Sequence, residues 1–218
     1  MKTVFISRTA IPNGPLHAFC AENNLRLIDD SLVTFKSVAF DEQQIKTDVI
    51  FFTSPRSVYF FFQGTTCENQ LLATVGEATA RELEKHKLSA HFIGQTSSNP
   101  KQVAKAFKTW LGNKTVLFPQ SQRSNRTIQS ELNEDQYIDL VVYETHLESK
   151  KPEYPPNYLV FTSPSNAEAY LLLNEITNEQ VVLSFGTTTA DYLTRRGIKN
   201  SCLNEPTEEA VVELLKEL

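Results

Sequence analysis

Residues 48–62 read DVIFFTSPRSVYFFF, and residues 157–171 read NYLVFTSPSNAEAYL. The shared core is Phe-Thr-Ser-Pro, with Thr53 and Thr162 standing 109 residues apart (162 − 53). Val49-Ile50-Phe51-Phe52 is a continuous apolar run of strand length, as expected for a parallel strand covered on both faces. Thr53-Ser54 supply N-cap hydroxyls, and Pro55 suits a first helical turn, where its missing N–H would have no partner anyway. Val160-Phe161 with Thr162-Ser163-Pro164 repeats the arrangement. Strand, tight turn and helix therefore occur as a unit, and the unit occurs twice.

A second pair of segments keeps the same spacing. Residues 74–84 read TVGEATARELE and residues 184–194 read SFGTTTADYLT, with Gly76 and Gly186 110 apart (186 − 76). Thr74-Val75-Gly76 reads as a short strand ending in glycine, followed by a helix carrying Ala78, Ala80 and Leu83. Weaker matches join TVFISR at 3–8 to TVLFPQ at 115–120, and IGQTSSNPKQVAKAF at 93–107 to LNEPTEEAVVELL at 203–215. Repeated strand–helix alternation implies parallel sheets with helices on both faces, connected by right-handed crossovers. Two extended segments stand apart, LVTFKSVAF at 32–40 and LVVYETHL at 140–147. The second is followed by the polar, proline-rich ESKKPEYPP, which has the composition of a linker.

Bulk properties narrow the function. The 218 residues suffice for two domains of about 100 residues each. A hydrophobic content of 40% supports packed cores, and a net charge of −5 argues against a nucleic-acid or membrane-surface binder. Cys20, Cys67 and Cys202 are odd in number and widely separated, so neither a disulfide scaffold nor a zinc ribbon is indicated; a reducing cytoplasm is expected. The four histidines form no HxxxH or HExxH pattern. The N-terminal apolar run is too short for a secretion signal and is interrupted by Arg8. Val49 to Phe62 is broken by Thr53-Ser54-Pro55-Arg56, so no membrane span is expected.

The ordered set of motifs resembles the uroporphyrinogen-III synthase family. It comprises Ile6-Ser7-Arg8, the two Phe-Thr-Ser-Pro turns, Val142-Tyr143-Glu144-Thr145, Gly186-Thr187-Thr188-Thr189-Ala190, and Pro206-Thr207 before the last helix. The resemblance covers essentially the whole chain. Departures are local: Thr9 rather than proline follows Arg8, Thr187 replaces a frequent proline, and no glycine follows Pro119. The resemblance implies two flavodoxin-like α/β domains joined by a two-stranded linker near 33–40 and 140–147. Domain 1 would be discontinuous, 1–34 with 148–218, and domain 2 would span 38–140. Periodicity alone is equally consistent with two consecutive, self-contained halves.

The resemblance also implies the reaction. Hydroxymethylbilane, a linear tetrapyrrole with eight carboxylates, loses water from its ring A hydroxymethyl group and closes to uroporphyrinogen III with ring D inverted. No metal or organic cofactor is implied. The implied partners are the substrate and, transiently, hydroxymethylbilane synthase; the chain would be a cytoplasmic monomer. An acidic protein must hold this polyanion without a large cationic patch, and helix N-termini can do so through unpaired N–H groups and the positive dipole end. Thr53, Ser54, Thr162, Ser163, Thr188 and Thr189 would add hydroxyl donors beyond the carboxyl ends of the strands, in a cleft between the domains, and Arg8 a charge-assisted contact. Tyr143 is the candidate proton donor. Each hydroxyl could equally be a simple cap, Arg8 a surface ion-pair residue, and Tyr143 a packed strand tyrosine. Arg123 and Arg126 read as solvated charges at a helix start, and Tyr59-Phe60-Phe61-Phe62 as core rather than a pyrrole-stacking surface. A two-lobed binding or sensory module without catalysis is the alternative; it would bind but not convert hydroxymethylbilane. A flavin or nucleotide protein is disfavoured, since no G-x-G-x-x-G or P-loop is present.

Overall fold

The structure, a computed structural model, describes residues 1–67, 69–95 and 99–217. In chain order its elements are β1 (Thr3–Ile6), α1 (Pro15–Glu22), β2 (Arg26–Asp29), β3 (Val33–Ser37), β4 (Val49–Phe52), α2 (Pro55–Gly64), β5 (Leu71–Thr74), α3 (Glu77–Lys85), β6 (Phe92–Ile93) and α4 (Pro100–Leu111). They continue with β7 (Val116–Ser121), β8 (Tyr137–Leu147), β9 (Tyr158–Phe161), α5 (Pro164–Leu171), β10 (Val181–Ser184), α6 (Thr187–Thr194), β11 (Ser201–Cys202) and α7 (Glu208–Lys216). The chain divides into two compact units, Met1–Thr34 with His146–Leu218, and Phe35–Thr145.

The first unit holds a five-stranded sheet in the order β11-β10-β9-β1-β2. Every pairing in it is parallel, with Val4 opposite Leu27 and Tyr158, and Val182 opposite Leu159. Alternation along the strands sorts the core into two layers. Val4, Ile6, Val160 and Leu183 pack with Leu16 and Phe19 of α1 and Val211 and Leu215 of α7. Phe5, Leu159, Phe161 and Val182 face the other way, against Ala167 and Tyr170 of α5 and Leu193 of α6. Each fully buried side chain of this size contributes about 1.5–3 kcal/mol, so both faces are needed to offset the entropy of ordering a small unit.

The second unit holds a six-stranded sheet in the order β3-β8-β7-β4-β5-β6. The β8-β7, β7-β4, β4-β5 and β5-β6 pairings are parallel. β3 runs against its neighbour β8: the Val38 N–H donates to Val142 O and the Glu148 N–H to Leu32 O, so numbers rise in one strand as they fall in the other. Ile50, Phe52, Leu72 and Leu117 pack with Val58 and Phe61 of α2 and Leu83 of α3. Val49, Phe51, Ala73 and Phe118 pack with Val103, Phe107 and Leu111 of α4.

The local signals map onto these elements with three departures. The strand before Gly76 is Leu71–Thr74, so Gly76 does not end a strand; it is the N-cap of α3, as Gly186 is of α6. No α-helix begins at Arg123 or Arg126. Arg126 lies in a turn at φ 53° and forms an ion pair with Asp139. Of the aromatic run, Phe60 and Phe61 are buried core and Phe62 packs beside them, but Tyr59 is 51% exposed on the outer face of α2.

Candidate functional site

In both units the chain starts at one strand, winds outward in one direction, and returns to the other side of that strand. The reversal falls between β9 and β1 in the first unit and between β4 and β7 in the second. Such switch points leave a crevice outside the carboxyl ends of the strands, because the two flanking helices depart to opposite faces.

At the first unit's switch point the register sets three turns level, after Ile6, Phe161 and Ser184. Ser7 and Thr162 fasten two of them. The Thr162 N–H donates to Ser7 Oγ (2.9 Å) and the Thr162 hydroxyl to Ser7 O (3.1 Å). Thr162 is thereby engaged in joining β9 to β1. Ser163 caps α5: its Oγ accepts from the Asn166 N–H at 3.3 Å and from Asn166 Nδ2 at 3.1 Å. Its own proton remains for a further acceptor.

The third turn is different in kind. Gly186 caps α6 without a side chain, so the cap residue itself offers the first-turn N–H groups no side-chain acceptor. Its φ of −177° is extended backbone open to any residue, and an added Cβ would meet no atom within 4 Å. Neither conformation nor packing therefore demands glycine there; its effect is to leave the helix end uncovered. Thr187 and Thr188 are exposed on that first turn, whereas Thr189 is 4% exposed and turned into the unit. Arg8 completes the group. Its guanidinium carbon lies 4.8 Å from the ring centre of Phe185, the residue before Gly186, and its Nη2 contacts Glu208 Oε1 at 3.3 Å.

At the second unit's switch point Ser54 caps α2 in a reciprocal box with Ser57. Ser54 Oγ accepts from the Ser57 N–H (3.1 Å), and Ser57 Oγ accepts from the Ser54 N–H (3.3 Å). Thr53 precedes the cap and is half-buried. Arg56, in the first turn of α2, is exposed and lies 3.5 Å over the ring of Phe35. A cation is electrostatically disfavoured at a helix N-terminus, and here the contact with Phe35 offsets that cost. Across β7, Gln122 binds the backbone of Thr145 from both ends of its amide, and Ser121 Oγ meets Thr145 Oγ1 at 3.2 Å.

Tyr143 lies on β8 at a break in register: Gln120 pairs with Val141 but Ser121 pairs with Tyr143. The extra residue, Val142, upsets the alternation, so that Val142 and Tyr143 both join the same core cluster. The tyrosine ring stacks on Phe60 at 5.0 Å and meets Phe35 edge-on at 6.0 Å, and the residue is 7% exposed. Arg56 and Glu208 were not singled out from the sequence, and neither was the pairing of Ser7 with Thr162. Ser7 was visible within Ile6-Ser7-Arg8, but its partner lies 155 positions away.

Two α/β units, each with a sheet that reverses at a switch point and a helix start at the carboxyl edge there, define a two-domain protein of predominantly parallel sheets. Among the described residues no cluster of His, Cys, Asp and Glu could hold a metal ion, and no helix is long and apolar enough to cross a membrane. Residues 33–213 match the family model described as uroporphyrinogen-III synthase HemD, and the chain belongs to that family. The uroporphyrinogen-III synthase of Chlorobaculum parvum is 26% identical, with 99% of this chain and 100% of that one aligned. The fold matches the crystal structure of uroporphyrinogen-III synthetase from Helicobacter pylori with a TM-score of 0.73, at 22% identity over 100% of this chain and 99% of that one. A mutant uroporphyrinogen-III synthase from Thermus thermophilus follows at 0.64 and 14% identity, covering 100% and 98%. Members of the family are lyases of tetrapyrrole biosynthesis that cyclise hydroxymethylbilane with inversion of ring D.

Proposed function

We propose that the strand-end turns of each unit take carboxylates of hydroxymethylbilane, and that selectivity for the inverted ring follows from holding rings A and D in place. The observation that carries this reading is the uncovered N-terminus of α6 beside Arg8. Backbone N–H groups at Thr187 and Thr188, the hydroxyls of Thr188, Ser163 and Ser54, and the Arg8 guanidinium would share the load. Thr53, Thr162 and the buried Thr189 would support those donors by fixing the turns. Hydrogen bonds to charged groups are worth about 1.5–3 kcal/mol each, so several can replace a basic patch on a chain of net charge −5.

The chemistry asks for one proton. Tyr143 would donate its phenolic hydrogen, or a hydrogen bond, to the departing ring A hydroxyl; the C–O bond breaks, the pyrrole nitrogen supplies the electron pair, and water leaves. Ring D then attacks the azafulvene through its substituted carbon, and the spiro intermediate fragments and recombines to the macrocycle. Orientation carries most of the selectivity, since a near-attack geometry replaces an entropic cost the free chain must meet in solution. We further propose that the protein works in the cytoplasm as a monomer, receiving hydroxymethylbilane by transient contact with hydroxymethylbilane synthase. The test is a coupled assay supplied with porphobilinogen and a deaminase, with isomer analysis of the product. Type III in excess supports the reading; type I alone, with substrate bound but not converted, would make the chain a binding module.

A further inference from the structure

We infer that Glu208 is a positioning residue for Arg8, holding the guanidinium so that its remaining N–H groups can take one substrate carboxylate; this rests on the reading of Arg8 given above. Glu208 opens α7 directly after the cap residue Thr207 and is 0% exposed. Its Oε1 accepts from the Ile11 N–H at 2.7 Å and from Arg8 Nη2 at 3.3 Å. The neighbouring Ala10 N–H donates to Asp29 Oδ2 at 3.0 Å, so the segment after β1 hangs from two carboxylates. Glu208 Oε2 and Arg8 Nε are buried without a hydrogen-bond partner among the described residues.

The choice of a carboxylate is the informative point. Tethering the Ile11 N–H needs only a neutral acceptor, which an amide would provide. A carboxylate out of reach of water, with one oxygen unpartnered, is costly unless a cation stands beside it. The start of α7 offsets part of that charge and Arg8 the rest, and it is Arg8 that carries the ion pair to the exposed edge. The Arg8 side chain is 36% exposed, and one edge is spent on Glu208 and one face on Phe185. What is left is a restrained fork with free donors at the same edge as the uncovered end of α6. A guanidinium held in this way loses less conformational freedom on meeting a carboxylate than a free one would.

The experiment compares Glu208→Gln, Arg8→Ala, the double variant and Arg8→Lys with wild type, using hydroxymethylbilane generated in the assay. Glu208→Gln keeps the acceptor for Ile11 and removes the charge. Its KM should rise about fivefold or more with kcat within about twofold, because the lost contact serves ground and transition states alike. The double variant should match Arg8→Ala alone, since positioning has no value once the guanidinium is gone. Arg8→Lys should raise KM toward that of Arg8→Ala, because its compact ammonium settles on the buried Glu208 and lacks the planar fork whose second edge faces outward; this variant decides the matter should Glu208→Gln not fold. Wild-type KM in Glu208→Gln or Arg8→Lys, or effects that multiply in the double variant, would overturn the inference while leaving the Arg8 contact intact. Wild-type KM in Arg8→Ala would instead remove the contact itself.

Discussion

Placing an aspartate at Gly186 tests the uncovered helix end directly. The backbone there is extended and an added Cβ meets nothing within 4 Å, so the substitution fits. An aspartate cap replaces glycine at a gain of a few tenths of a kcal/mol, and its charge near the helix start adds about 0.3–1 kcal/mol. At about 2–4 °C per kcal/mol for a chain of this size, Tm should hold or rise by about 1–4 °C. Binding should move the other way. The new carboxylate accepts the N–H groups proposed for the substrate and repels its anions, by about 1–4 kcal/mol at roughly 4 Å depending on local screening. Since 1.4 kcal/mol is tenfold, KM for hydroxymethylbilane should rise about tenfold or more. Gly186→Ala is the control: it adds the same Cβ with no acceptor and no charge, and should leave KM close to wild type. The assay is the coupled formation of uroporphyrinogen III, with Tm read on the same samples. A stable Gly186→Asp protein with wild-type KM would show that no substrate carboxylate approaches α6.

Tyr143→Phe keeps the ring packed against Phe60 and Phe35, so it should fold normally. It should form the type III isomer more slowly, by about 10²-fold or less, with type I accumulating alongside; unchanged rates would remove the phenol from the mechanism. Ser54→Ala deletes the reciprocal cap of α2 and should cost about 1 kcal/mol, a Tm loss of about 2–4 °C measured by calorimetry. Burial pushes the Cys20 thiol up from 9.0 to about 11, while Cys202 is exposed. Alkylation at pH 8 should therefore take Cys202 first and Cys20 only on unfolding, since the thiolate is the reactive form. Because the folded value lies above the unfolded one, the neutral Cys20 thiol stabilises the fold fully below pH 9 and loses that contribution as pH climbs toward 11. Cys20→Ala should flatten the fall in Tm across that window.

The sequence by itself determined what depends on neighbours in the chain. Continuous apolar runs specified buried parallel strands, and Ser54-Pro55 and Ser163-Pro164 specified capped helix starts with nearly identical cap geometry. These signals need only the backbone's hydrogen-bond requirement and a period of burial, both written locally. Tertiary structure decided what depends on contacts across the chain. Val4-Phe5-Ile6 suits any parallel sheet, and only packing against Tyr158–Phe161 seats it beside β9. The slip between Gln120 and Ser121 moves Tyr143 into a core cluster that strict alternation would have denied it. The ion pair of Arg8 with Glu208 spans 200 positions. Nothing near Arg8 encodes it: the positive end of α7 favours a carboxylate at Glu208 locally, but the guanidinium comes alongside only when α7 packs on the sheet that contains β1.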